Sequence, residues 1–212
     1  GSVYLLFGGW GGMGGSGLSV LIGIELGEGG CVIGDDEIYN VIVSGDGFVM
    51  ILFMVMGVMI GGLGNWLVGL MLGGGDMGLG GLNNMSFWLV GGCLSVVLGS
   101  SMVESGGGSG WSVYGGLGGG IGDGGGCVDL SMFCVELGGV CWILGGINFI
   151  SSSINMKWGG MKLDEMRLFV WGVVISGVLV LLCVGVLGGG ISMVLSEGNI
   201  NSWLFDGGGG GS

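Results

Sequence analysis

Five long apolar stretches, separated by short polar segments, constrain the fold of this sequence more than any other feature. A helix needs about 20 apolar residues, at about 1.5 Å each, to cross the hydrocarbon core of a bilayer. The stretches cover residues 3–24, 38–72, 85–102, 128–154 and 168–195. We therefore expect a single domain over residues 1–212, folded as an all-α, polytopic membrane helix bundle of about five transmembrane helices.

The scarcity of charge agrees with a membrane protein. Only 8% of the residues are charged and the mean hydropathy is +0.92, whereas soluble domains carry about 25% charged residues. The net charge of −12 excludes a basic surface for nucleic acid. Glycine-rich runs are common among 60 glycines, but none lies between a clear strand and a helix. They therefore do not predict a nucleotide-binding loop.

The positions of the basic residues predict the orientation in the membrane. Lys157, Lys162 and Arg167 all lie between the fourth and fifth stretches, and basic loops favour the inner side. Counting back, the N-terminus and the segment with Asp76 should also face inside. The loops expected outside are acidic, with Glu25, Glu28, Asp35, Asp36, Glu37, Glu104 and Asp123.

Two acids lie inside predicted spans, Asp46 in the second and Glu136 in the fourth. An ionisable side chain at membrane depth is a functional candidate by default. The alternative is that one or both are substitutions without a partner. The pair Gly57 and Gly61 has the small-xxx-small spacing of closely packed helices, although chance is an equally good explanation in so glycine-rich a chain.

Three cysteines of the fourth stretch, Cys127, Cys134 and Cys141, recur every seven residues and should line one helix face. Thiolates at this spacing would suit a soft metal. The chain has no histidine to complete such a site. We favour the interpretation that these cysteines stand in for serines and bind no metal.

The amino-acid alphabet is incomplete. Ala, Pro, Thr, Gln and His are absent, and these are the five types whose every codon contains cytosine. The other fifteen types can each be written without cytosine, and all of them occur. We infer a coding sequence that contains no cytosine.

Five segments carry a resemblance to a known family, in the family's order and spacing: Gly34–Asn40, Gly61–Val68, Met85–Leu89, Ser100–Glu104 and Ile147–Ile150. They resemble the near-N-terminal part of cytochrome c oxidase subunit 1. The similarity covers essentially all 212 residues. It implies the haem-copper oxidase fold, represented by a fragment.

The resemblance also implies an activity. The family oxidises cytochrome c, reduces oxygen to water at a haem-copper centre and pumps protons, with haem a and copper as cofactors. It implies a multi-pass protein of the mitochondrial inner membrane, in contact with lipid and other oxidase subunits but no nucleic acid. Most of the family's haem and copper ligands lie beyond the end of this chain.

The haem-facing positions depart from the family. Asp46 stands where the family has an axial histidine, and Gly23 stands where it has an arginine that contacts the same haem. Trp111 matches a residue near a haem propionate. A carboxylate is a poor substitute for imidazole because the axial ligand sets the electronics of the haem. We predict that this chain binds no haem a stably and has no oxidase activity.

The proton-entry positions resemble the family more closely. Asp76 matches the acid at the inner mouth, and Asn65, Asn83 and Asn148 match asparagines that order water behind it. Cys141 and Trp142 occupy the places of two small serines, and Trp142 is expected to block water.

Glu25 and the carbonyl group of Gly30 match an outer-face cation site of the family.

The departures follow one rule. Gly replaces the family's Ala, Pro or Arg, Ser replaces Thr, Glu replaces Gln and Asp replaces His, as replacement of cytosine by guanine would give. Three interpretations remain open: a subunit of a membrane redox enzyme, a non-catalytic helical membrane protein, and an altered sequence with no functional product.

Overall fold

The computed structural model describes residues 1–119, 122, 124–205 and 207–211. Its five long helices are each long and apolar enough to cross a membrane. They are α1 (Ser2–Gly27), α2 (Asp36–Leu72), α3 (Gly80–Met102), α4 (Gly126–Asn155) and α5 (Leu168–Ile200). The described residues include no strand. The predicted all-α class with five spans is confirmed.

The helices pack mainly against their neighbours in the sequence. α1 lies along α2, α3 lies along α4, and α4 lies along α5, with a smaller contact between the end of α2 and α5. A glycine stripe brings α1 and α2 close together. Gly8, Gly11 and Gly15 of α1 are buried where small residues allow helices in lipid to approach.

Of the two explanations left open for the spacing of Gly57 and Gly61, the structure supports close helix packing. A methyl group placed on Gly57 would lie 3.9 Å from the α carbon of Gly8, and one placed on Gly61 would overlap the ring of Tyr4. The two glycines therefore face α1, and their lack of side chains allows this contact.

Local sequence signals explain both ends of α2. The side chain of Asp35 accepts hydrogen bonds from the backbone N–H groups of Glu37 (2.9 Å) and Ile38 (3.3 Å), which caps the helix start. At the other end Gly73 has a φ of +69°, a left-handed conformation that glycine adopts without a steric penalty. Between them, Val49–Val55 and Gly57–Gly64 are π-helical.

The loops fall at two ends of the bundle. We call the end with loops 73–79 and 156–167 the basic end, because it holds all three basic residues. There the N–H of Trp158 donates to the carbonyl oxygen of Leu72 at 3.0 Å. Asp76 and the basic loop therefore share one end, as predicted; which side of the membrane that end faces stays a prediction.

The opposite end, with loop 28–35 and the segment 103–119, is the acidic end. The N–H of Gly110 donates to the Ser44 hydroxyl at 2.9 Å and so joins the second loop to α2. Asp123 lies outside the described residues.

The heptad of cysteines in α4 lines one face, as predicted, and that face meets α3. All three cysteines are buried. They lie opposite three small polar residues of α3 that are also spaced by seven: Ser86, Cys93 and Ser100. We call these six residues the α3–α4 seam. Among the described residues, no group of three or more His, Cys, Asp or Glu side chains is arranged to hold a metal ion.

Candidate functional site

Two asparagines link α2 to α3 near the basic end. The side-chain amide of Asn83 donates to Oδ1 of Asn65 at 3.1 Å. Asn65 in turn donates to the carbonyl oxygen of Gly61, one turn earlier in α2. Both side chains are half-buried. These hydrogen bonds pair amide groups that lipid could not pair.

Asn148 of α4 completes the polar cluster. Its side chain is fully buried, and its Oδ1 accepts the backbone N–H of Leu79 at 3.1 Å and the hydroxyl of Ser152 at 3.4 Å. The Ser152 hydroxyl also accepts the N–H of Gly78 at 2.9 Å. Asn148 and Ser152 therefore hold the loop that contains Asp76 against α4.

Asp76 lies at the mouth of this cluster. Its carboxylate is exposed, and Oδ1 accepts the N–H of the next residue, Met77, at 2.7 Å. Asp76 and Asn65 line one open cleft of about 280 Å³. The structure thus brings all four predicted residues (Asp76, Asn65, Asn83 and Asn148) to one end of the bundle, although their roles remain predictions.

A hydroxyl pair lies about one helical turn beyond Asn83 along α3, and sequence reasoning missed it. Tyr4 Oη lies 2.8 Å from Ser86 Oγ, and Ser86 donates to the carbonyl oxygen of Cys141 at 3.1 Å. The Cys141 sulfur lies 3.3 Å from Ser86 Oγ and 3.7 Å from Tyr4 Oη. The available signal was the position of Ser86 one turn beyond Asn83, within an otherwise apolar span.

Trp142 lies beside this group. Its ring is buried, 6.0 Å from the ring of Tyr4 and inclined to it by 35°. Trp142 also lines an apolar cavity of about 290 Å³ between α2, α4 and α5. The tryptophan therefore occupies the space next to the hydroxyl pair, and its effect on water stays a prediction.

Asp46 is held in a different way. One oxygen of its carboxylate accepts the hydroxyl of Ser19 of α1 at 2.8 Å. This hydrogen bond is exposed, and Asp46 itself is half-buried. No described side chain at this place offers an imidazole, because the chain has no histidine.

The other haem-facing positions do not complete a site around Asp46. Trp111 packs on Gly47, since a methyl group there would lie 2.8 Å from the Trp111 β carbon. Gly23 is exposed, with open space where a side chain would begin. The residues Asp46, Gly23 and Trp111 therefore do not fit a haem, because neither an imidazole ligand nor a guanidinium group is present.

Glu25 serves a structural role at the acidic end. Its Oε2 accepts the N–H groups of Val32 (3.0 Å) and Ile33 (2.9 Å). These two bonds close the loop between α1 and α2. Gly30 is exposed within that loop, and the cation site expected from Glu25 and Gly30 remains a prediction.

Glu136, the second acid at membrane depth, has a partner. The hydroxyl of Ser192 in α5 donates to Glu136 Oε1 at 2.7 Å. This bond joins α4 to α5.

Comparisons with known proteins cover nearly the whole chain. The model of the family described as "Cytochrome C and Quinol oxidase polypeptide I" matches residues 1–211. The protein named "Cytochrome c oxidase subunit 1" in Eremothecium gossypii is 39% identical over 211 residues, and the one in Yarrowia lipolytica is 41% identical over 211 residues. In both alignments 99% of this chain is covered, and the chain spans 39% of the relative's length.

Proposed function

Because the chain belongs to the Cytochrome C and Quinol oxidase polypeptide I family, we propose that it forms part of the membrane domain of a cytochrome c oxidase subunit 1 and carries the beginning of its proton-entry path. The assembled oxidase would oxidise cytochrome c, reduce oxygen to water and pump protons. In this proposal the multi-pass chain resides in the mitochondrial inner membrane.

The polar cluster at the basic end is the observation that carries the proposal. Polar side chains at membrane depth are costly and face a water-filled or protein interior. Here Asn65, Asn83 and Asn148 are arranged behind the exposed carboxylate of Asp76. Asn148 Nδ2 is buried without a hydrogen-bond partner. A buried donor of this kind is normally satisfied by an ordered water, which is what a proton path requires.

The polar side chains of the proposed proton path end at Tyr4 and Ser86. Beyond them, Cys141 and Trp142 belong to a buried cluster that includes Phe53 and Val90. A thiol is a weaker hydrogen-bonding group than a hydroxyl, and an indole ring has one donor only. Protons that enter at Asp76 would therefore reach Ser86 but not pass Trp142 in this chain.

Haem a and copper are the cofactors of the proposed whole enzyme, and Asp46, Gly23 and Trp111 do not fit the haem. With Asp46 bonded to Ser19 and no histidine in the chain, we assign no electron-transfer step to these residues. The contribution of this chain is the proton-entry segment and the helical frame.

The exposed surface of α5 supports membership in a larger assembly. Only Val170 and Gly177 of this helix are buried, while large apolar side chains such as Leu182 and Val186 are 64% and 79% exposed. Such a surface must contact lipid or further helices. Other oxidase subunits and the remainder of subunit 1 are the proposed partners.

A set of chimaeras tests this proposal. In the first, residues 1–211 replace the matching segment of the Yarrowia lipolytica subunit. The second adds Asp46→His, Gly23→Arg, Cys141→Ser and Trp142→Ser. We expect no haem a band in the reduced-minus-oxidised spectrum of the first and a restored band, with oxygen consumption, in the second.

Two further variants of the restored chimaera isolate the proton path. Asp76→Asn should leave the haem a band intact and abolish most proton uptake. Asp164→Asn, which changes another exposed acid of the basic end, should affect neither. A restored chimaera that assembles yet keeps its proton uptake after Asp76→Asn would disprove the proposed path.

A second candidate is that this exact sequence has no functional product. The loss of all histidines and the missing five residue types favour it. Resequencing the coding DNA distinguishes the two: ordinary cytosines that restore His at position 46 would show that the incomplete alphabet is an artefact.

A further inference from the structure

The middle pair of the α3–α4 seam consists of two cysteines. Cys93 of α3 and Cys134 of α4 are both free thiols, with exposed fractions of 1% and 0%. Their sulfur atoms are 3.1 Å apart, and the Cys93 thiol donates to the carbonyl oxygen of Cys134, also at 3.1 Å. The pair lies in the buried cluster around Tyr4 and Phe53.

The register of the seam holds these two sulfurs opposite each other. Moving seven residues along α3 moves the partner seven residues back along α4, so Ser86 meets Cys141, Cys93 meets Cys134 and Ser100 meets Cys127. The two outer residue pairs of the seam are hydrogen-bonded. Ser86 donates to the carbonyl oxygen of Cys141 at 3.1 Å, and Ser100 donates to that of Cys127 at 2.7 Å. The hydrogen bonds on either side therefore hold Cys93 and Cys134 in register.

The space around the pair permits a bond. A disulfide requires a sulfur–sulfur distance of about 2.05 Å, so the two sulfurs must approach by about 1 Å. Gly138, one turn after Cys134, places no side chain there; a methyl group on it would lie 3.4 Å from the Cys93 sulfur. Cys127 and Cys141 are each seven residues from Cys134, or about 10 Å along the helix, which is too far for either to bond Cys93.

We propose that Cys93 and Cys134 are an oxidation site that forms a disulfide between α3 and α4 when an apolar hydroperoxide enters the membrane. One thiol attacks the peroxide oxygen, the O–O bond breaks and accepts two electrons, and the alcohol leaves with the proton of that thiol. The second thiol then attacks the resulting sulfenic acid, and water leaves with the second proton. Two thiols and one hydroperoxide thus give one disulfide, one alcohol and one water.

Burial determines which oxidant acts. Both sulfurs are shielded from water, so charged, water-soluble reagents cannot reach them, whereas an apolar hydroperoxide dissolves in the bilayer and enters when the helix pair opens briefly. Once one sulfur is oxidised, the neighbouring thiol is already in position, which favours the second step over further oxidation.

The experiment treats the full chain in lipid vesicles with cumene hydroperoxide and maps the disulfides by mass spectrometry of unreduced peptides. The variant Cys31→Ser/Cys183→Ser is used as background, because those two cysteines are exposed. We expect the Cys93–Cys134 linkage to exceed any other cysteine pair by about tenfold, to disappear on reduction, and to make the chain migrate faster on a non-reducing gel.

Three controls make the result decisive. Cys93→Ser and Cys134→Ser should each abolish the linkage. The same chain oxidised in denaturing detergent should give mixed pairings, which shows that the linkage depends on the fold and not on sequence. Mixed pairings in vesicles, or oxidation of the exposed cysteines of the unmodified chain without a Cys93–Cys134 bond, would overturn the proposal.

Discussion

The asparagine cluster at the basic end and the carboxylate of Asp46 are held in different ways. At the basic end, Asn65, Asn83 and Asn148 form hydrogen bonds between helices or between a helix and a loop, and Asn148 is fully buried. Toward the acidic end, Asp46 has one exposed hydrogen bond to Ser19. The first group includes a fully buried side chain, whereas the bond between Asp46 and Ser19, which also joins two helices, is exposed.

This difference teaches which positions tolerate substitution. A buried polar group left without a partner costs about 1–3 kcal/mol. The asparagines are therefore constrained by packing as well as by any role in proton entry. Asp46 has one exposed hydrogen bond, so packing constrains it less.

The largest expected effect tests the contact that supports the hydroxyl pair. Gly61→Val should lower the free energy of unfolding by about 3 kcal/mol, because the new side chain overlaps the Tyr4 ring. That ring cannot easily move, since it packs against Phe87 and Trp142. Unfolding by denaturing detergent, followed by tryptophan fluorescence, measures the change.

The matched control for this variant lies in the same helix. Gly69 has no neighbouring atom within 4 Å of a new methyl group, so Gly69→Ala should stabilise α2 by about 0.5–1 kcal/mol. Equal stabilities for the two variants would show that α1 does not approach α2 at Gly61.

The second prediction concerns the buried amide. Asn148→Leu should reduce the free energy of unfolding by about 1–3 kcal/mol, because the N–H of Leu79 loses its acceptor. Asn83→Leu should cost less, since Asn83 is half-buried. Hydrogen exchange at the start of α3 reports the freed N–H. The contrast between the asparagine cluster and Asp46 would fail if Asn148→Leu were neutral.

A smaller effect is expected at the hydroxyl pair. Ser86→Ala removes the contacts with Tyr4 and with the Cys141 carbonyl oxygen, at a cost of about 0.5–1.5 kcal/mol. Ser95→Ala is the control, because Ser95 lies in the same helix but is exposed, and its hydroxyl donates to the carbonyl oxygen of Gly92. If both variants unfolded alike, the pair would contribute nothing to packing.

The smallest effect is expected at Asp46. Asp46→Asn should change the free energy of unfolding by less than about 0.5 kcal/mol, because the amide oxygen can still accept from Ser19 and this hydrogen bond is exposed. Ser19→Ala should be equally mild. A loss above about 1 kcal/mol in either variant would place Asp46 among the structural residues and remove the contrast.

The helix bounds show which helix ends the sequence predicted and which it did not. Hydropathy gave the end of α2 at Leu72 and the start of α5 at Leu168, where apolar residues stop or begin abruptly. It placed the start of the third span at Met85, whereas α3 begins at Gly80. The extra turn is polar and glycine-rich, and the N–H of Leu79, just before it, donates to Asn148 of another helix. A local pattern cannot contain that contact.

The candidate site also contains some residues that the sequence identified and others that it missed. Resemblance identified Asp76, Asn65, Asn83 and Asn148, and the structure brings them to one end. It gave no role to Tyr4 or Ser86, whose contact spans 82 residues. The heptad of cysteines was visible in the sequence, but its partner face on α3 was not recognised.

The sequence by itself determined the number of spans, the shared end of Asp76 and the basic loop, and the absence of an imidazole at position 46, because these follow from apolar length, connectivity and residue type. Only the tertiary structure decided that Cys93 faces Cys134, that Asn148 holds the Asp76 loop, and that Trp142 lies beside the hydroxyl pair. Contacts of this kind depend on the rotation and register of one helix against another, which are set by packing along the whole interface.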